Sequence, residues 1–226
     1  QGTIITGPAS CTGMDVTTNG YSMYTYNAST DNLVGVSTTA TAINANTAYP
    51  QTYFLYVRGD RNTGIANSNA NPGATTLKST GTLYQGTIAT DISANNGAAT
   101  TYHLIGNPYA SPINLNSFLT ANSSVVENYI YVWDPKMTNT ANGVGGIVTL
   151  INNGTTYNPS TSLSFSNGVS ELPSGLAFFV QKKSPNCSNC SVTFTEAMKS
   201  TGALMHNGFK TTSQVAGTMQ INLGVK

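Results

Sequence analysis

Charge is what this sequence has least of. Asp, Glu, Lys and Arg make up 8% of its 226 residues, against about 25% in an ordinary soluble domain. Nine bases and eight acids leave a net charge of +1. Lys182-Lys183 is the one basic cluster, so binding nucleic acid by neutralising phosphates is not expected. Long apolar runs are missing too: none approaches the roughly 20 residues needed to span a bilayer, and membrane insertion is not expected. Cysteine is scarce, at Cys11, Cys187 and Cys190. A zinc site needs about four organised N or S ligands, and the other soft candidates, His103 and His206, are isolated. Cys187 and Cys190 sit in a turn-rich loop rather than at a helix N-terminus, where a redox thiolate would be stabilised. They read as a local disulfide clip or as two plain thiols.

The same scarcity bears on catalysis, which needs titratable groups held together. Asp15, Asp31, Asp60, Asp91, Glu127, Asp134, Glu171 and Glu196 fall singly, each in a different segment. No nucleophile elbow, zinc-protease helix motif or glycine-rich phosphate loop is present. The reading is non-enzymatic, with no cofactor and no metal. His103, inside a strand, reads as structural or exposed. A calcium loop over Asp134–Asn142 has too few carboxylates.

What is present is Ser, Thr, Asn, Gly and Ala, with 39% hydrophobic residues to build a core. Short alternating or aromatic runs predict strands at Tyr21–Tyr26, Tyr53–Val57, Thr101–Ile105, Asn128–Trp133, Ile147–Ile151, Ser162–Phe165, Ala177–Gln181, Ser191–Thr195 and Thr218–Val225. Thr75–Gly81 and Thr82–Ala89 read as a hairpin about Gly81. Asn-Gly, Asn-Pro and Pro-Ser-Gly breakers separate the runs. The fold class is therefore all-β, a β-sandwich or jelly-roll-like fold. One short helix is expected near 112–120, capped by Ser111 with Pro112 in its first turn, and with Leu115, Phe118 and Leu119 on one face. The chain reads as a single β-rich domain over 1–226, or as two closely packed subdomains over about 1–98 and 99–226. It opens at Gln1 without a leader, as a processed product or a piece of a longer protein would.

Two segments stand out. YFLYVRGDR, residues 53–61, holds both arginines of the chain with Asp60 between them. A guanidinium makes bidentate bonds to carboxylate or ties loop carbonyls, so Arg58, Asp60 and Arg61 read as a structural latch. Adhesion through the Arg58-Gly-Asp60 tripeptide is the lesser reading. LIGNPYASPI (104–113) is followed by IYVWDP (130–135), LPSGLAFFV (172–180) and VTFTEAM (192–198). That ordered series resembles a segment common in large secreted and cell-surface proteins of Bacteroidetes, exported by the type IX secretion system. YFLYVRGDR and TTLKSTGTLYQGTI (75–88) are similar to the block that precedes it in those proteins. The resemblance implies an extracellular, cell-surface location within a longer protein and supplies no catalytic residues. Within it, Trp133 reads as a core residue. The CSNC segment at 187–190 is not part of the pattern.

The expected function is a structural or adhesive module, with assembly into extracellular fibres suggested by the alternation of Met219, Ile221, Leu223 and Val225. Its partners would be copies of itself or surface glycans. The alternative is a carbohydrate-binding accessory module of a secreted hydrolase, in which some of the twelve tyrosines stack on sugars and carboxamides bond hydroxyls.

Overall fold

A computed structural model describes residues 3–40, 51–57, 81–93, 102–134, 145–154, 156–159 and 169–201. In the first half these form β1 (Thr6–Gly7), β2 (Val16–Thr17), β3 (Met23–Asn27), β4 (Asn32–Gly35), β5 (Phe54–Leu55) and β6 (Ile88–Asp91). The second half contributes β7 (Tyr102–Gly106), β8 (Ile113–Asn114), α1 (Leu115–Ala121), β9 (Tyr129–Asp134) and β10 (Gly146–Asn152). It ends with β11 (Tyr157–Pro159), β12 (Glu171–Leu172), β13 (Ala177–Gln181) and β14 (Ser191–Phe194). The fold is all-β with one short helix.

Its centre is a five-stranded antiparallel sheet in the order β11-β10-β9-β13-β7. Side chains alternate across a strand, and the burial of β9 and β10 follows that period. Ile130, Val132, Val148, Leu150, Phe178 and Val180 are buried on the inner face. There α1 presents Leu115, Phe118 and Leu119, all buried. Phe118 stacks on Phe194 of β14 at 4.8 Å and meets Phe178 edge-on at 5.5 Å. On the outer face, the sheet β4-β3-β5 packs against part of the central sheet. Tyr26 stands edge-on to Phe179 at 4.9 Å, and Phe54 lies 5.9 Å from the same ring. Elements from the first hundred residues thus reach both faces, because β6 pairs with β14 beside the helix.

The helix starts later than its sequence suggests. Ile113 and Asn114 pair with Leu172 and Glu171 as strand, and Asn114 is the N-cap, its Oδ1 accepting from the Ser117 amide at 2.8 Å. Pro112 stays outside, its carbonyl accepting from the Ser200 amide. Cross-strand pairing outweighs the local cap signal of Ser111, whose buried hydroxyl has no partner among the described residues. The hairpin about Gly81 changes as well. Residues 82–87 are not strand, and the strand that begins at Ile88 pairs with Ser191–Phe194. Val192 and Phe194 are fully buried there, a gain that no local turn supplies. The expected strands at 162–165 and 218–225, and the other hairpin arm at 75–80, lie outside the described residues.

With so little charge, buried backbone groups are tied by carboxamides. Asn107 is buried, and its Nδ2 donates to the carbonyls of Ser111 (2.8 Å), Pro173 (3.1 Å) and Leu172 (3.3 Å). Its Oδ1 accepts from the Tyr109 amide at 3.0 Å. Asn122, the C-cap of α1, donates to Phe118 O and Thr193 O and accepts from the Thr193 amide at 2.8 Å. It pairs with β14 as a strand backbone would.

Replacing Asn107 by Ala strands buried carbonyls and should lower stability by roughly 2–4 kcal/mol. Asn107→Asp retains the acceptor for Tyr109 but sets a carboxylate against carbonyl oxygens, and should cost at least as much. Denaturant titration of both variants checks this; wild-type midpoints would show that the carboxamide holds nothing.

Candidate functional site

The outer face of the central sheet is only partly covered. Trp133 is 38% exposed, Ile147 46% and Ile151 50%. Register places Ile147 opposite Trp133 and Ile151 opposite Tyr129, so the three share one face. Trp133 was expected in the core. It is instead on the outer face because Ile130, Val132 and Asp134 take the inward positions of β9, and the period of two leaves 129, 131 and 133 outward. Phe54 meets its ring edge-on at 6.1 Å. Gly145 crosses beside it with φ +100°, where an added Cβ would stand 2.7 Å from the indole. Only glycine lets the backbone pass so close in that conformation.

Beyond the part covered by β3 and β5 lies a group of phenols. Tyr131 stands between Tyr102 and Tyr129, with centroids 5.4 and 5.5 Å away and planes at 83° and 82°. Gln181 Oε1 accepts from the Tyr129 hydroxyl at 2.7 Å and from that of Tyr131 at 3.5 Å. Tyr102 faces Gln181 in the β13–β7 register. Burial, then the neighbouring Tyr102 hydroxyl, holds the Tyr131 phenol well above its ordinary value. The group is neutral and half-buried. It offers apolar ring surface and can exchange neutral hydrogen bonds.

A second cluster lies at the inward side of β7. His103 is buried, and its Nε2 has no partner among the described residues. Burial first, then the charge of Lys182, pulls the imidazole down to about 4, with Asp91 acting against them. Lys182 is itself buried, and its ammonium is lowered by that burial. Asp91 is lowered chiefly by the hydroxyl and amide of Ser93. Ser93 Oγ is in turn held by Cys190: it accepts from the Cys190 amide at 2.9 Å and donates to its carbonyl at 3.3 Å. The hydroxyl thus ties β6 to β14.

Cys187 and Cys190 are joined by a disulfide with Cα atoms 5.6 Å apart, and Cys11 is a free, half-buried thiol. The disulfide secures the loop that presents Cys190 to Ser93. Arg58, Asp60 and Arg61 lie outside the described residues, as do His206 and the 135–142 part of the loop considered for calcium. Asp134 itself is buried. Other carboxylates hold structure: Asp15 accepts from the Ile5 amide at 2.9 Å, Asp31 from the Tyr26 hydroxyl at 2.6 Å. Glu196 accepts from the Gly86 amide at 2.7 Å and pairs with Lys199. Among the described residues, no three of His, Cys, Asp and Glu come together as a metal site, and no helix is long and apolar enough to cross a membrane.

Sequence reading missed both clusters. The tyrosines lie on β7 and β9 with Gln181 on β13 between them, far apart in the chain, and only the register brings them together. The alternation YIY at 129–131 was the available signal for the outward pair.

The family model of a domain of unknown function, DUF8693, matches residues 7–222, and the chain belongs to that family. No curated protein and no solved structure matches it.

The His103 site predicts acid sensitivity. Above pH 6.5 the imidazole is neutral whether folded or unfolded, so stability is unaffected. Between 6.5 and about 4 the unfolded chain takes up a proton that the folded one refuses, and stability falls; below that it levels off. The loss should be on the order of 1–2 kcal/mol after solvent screening, or roughly 3–6 °C in Tm. Thermal melts across that range check it, and His103→Leu should flatten the slope. An equal slope in the variant would assign the sensitivity elsewhere.

Proposed function

We propose that this domain is a non-enzymatic structural and adhesive module of an exported bacterial surface protein, working through the outer face of its central sheet. The observation that carries the reading is the cross-strand pair Trp133 and Ile147, with Ile151 further along the same face, large apolar side chains left open on a sheet face whose other side is fully packed. Contiguous exposed apolar surface marks contact sites. A surface built from hydroxyls and amides repels neighbours weakly, which favours close association.

Export is supported by the Cys187–Cys190 disulfide, since such bonds persist in oxidising compartments, and by the ordered motifs that resemble secreted Bacteroidetes proteins. The non-enzymatic reading is supported by the use of Asp15, Asp31 and Glu196 as hydrogen-bond anchors and by the engagement of Ser93 with backbone. Assembly into extracellular fibres is the form of contact proposed.

Electron microscopy and sedimentation of concentrated protein test this. Ordered assemblies are expected for the wild type, and Ile147→Asp should disperse them while leaving the buried face untouched. Monomers of wild-type protein at every concentration would overturn the assembly reading.

A further inference from the structure

Cross-strand tyrosines commonly stabilise sheets, and packing alone would be served as well by phenylalanine. The group at Tyr102, Tyr129, Tyr131 and Gln181 differs from a packing cluster in its polar wiring. Two phenol hydroxyls converge on Gln181 Oε1, which fixes the amide so that its Nε2 is turned away from them. That Nε2 donates to no protein group among the described residues. Three rings set nearly at right angles in sequence hold one another in place, so the group is ordered before any ligand arrives, which lowers the entropic cost of binding.

Charge decides among ligand classes. None of the four side chains is ionised at neutral pH. Of the bases next in the chain, Lys182 is buried and Lys183 Nζ donates to Ser123 O at 2.7 Å. A phosphate-bearing or strongly acidic ligand therefore finds no cation in the group. A purely apolar partner would leave the amide and hydroxyls unpaired when it covered them, at a desolvation cost. A ligand with apolar C–H faces and many neutral hydroxyls satisfies both demands.

We propose that Tyr102, Tyr129, Tyr131 and Gln181 form a binding site for a neutral glycan, the rings packing on the sugar's C–H faces while the Gln181 amide and phenol oxygens bond its hydroxyls. The inference rests on the reading of the outer face as a contact surface, and it names one partner for that face. It does not require the protein to assemble.

Native electrophoresis in gels cast with single neutral polysaccharides (a β-glucan, a mannan, a xylan, an α-glucan) tests the site, with alginate as the acidic control. Retardation in at least one neutral gel is expected. Gln181→Leu and Tyr102→Ala should weaken it by about tenfold or more, the scale of one or two lost hydrogen bonds or stacking contacts. Folding of each variant is followed by Trp133 fluorescence, and Tyr129→Phe, which keeps the ring, serves where a larger change unfolds the protein. In the wild type, an oligosaccharide of the retained polymer should shift the Gln181 side-chain amide resonances. No retardation in any neutral gel, retention by alginate alone, or unchanged retention by folded variants would overturn the site. Ile147→Asp lies off this group, so loss of assembly with retained glycan binding, or the reverse, separates the two readings.

Discussion

The Asn107 carboxamide is the tie on which the second half of the chain depends. It stands where β7 ends and the chain turns toward β8 and α1, and it bonds backbone from two separate stretches, 109–111 and 172–173. An ionised residue in that position would need a buried counter-ion, which a chain with 8% charge does not supply. A carboxamide offers two donors and one acceptor without that requirement. Asn122 repeats the device between α1 and β14. The Tyr157 hydroxyl joins neutral side chains in the same way, donating to Asn128 Oδ1 and accepting from Asn152 Nδ2, each at 3.2 Å. Charge depletion is thus a building rule here: at these positions neutral side chains do the tying.

With the turns tied, the two faces of the central sheet take different parts. The inner face receives α1 and β14 and closes into a continuous core. On the outer face, Tyr26 and Phe54 meet Phe179, Phe54 also meets Trp133, and Thr52 bonds the Leu104 carbonyl. What remains open holds an apolar pair at Trp133 and Ile147, and a hydrogen-bonded tyrosine group about Gln181 that Ile151 borders across from Tyr129. The first suits contact with a like surface, the second a ligand that carries hydroxyls. Both follow from one register, since shifting β9 by a single residue would bury the tyrosines and expose Ile130 and Val132.

Much of this was legible in the chain. The alternation in Tyr129–Asp134 and Gly146–Asn152 marks strands, and Leu115, Phe118 and Leu119 mark the buried side of the helix. The start of that helix was not legible, because the pairing of Ile113 and Asn114 with Glu171 and Leu172 joins residues more than fifty positions apart. Nor was the partner of β6, for the same reason. Trp133 misleads because a lone tryptophan in an apolar strand favours a core reading, whereas its place in the alternation, opposite in parity to Ile130 and Val132, assigns it outward.

The sequence by itself determined the class of the fold, the positions of most described strands and the scarcity of ionisable chemistry, since these depend on composition and on periods of two and 3.6 residues. Tertiary structure alone decided which strand ends meet: that Gln181 falls between Tyr102 and Tyr129, and that His103 is buried beside Lys182 and Asp91. Local patterns say which way a side chain points within its own strand. Which strands become neighbours is a contest among long-range pairings, settled by how much apolar surface each arrangement buries and how many backbone groups it leaves bonded.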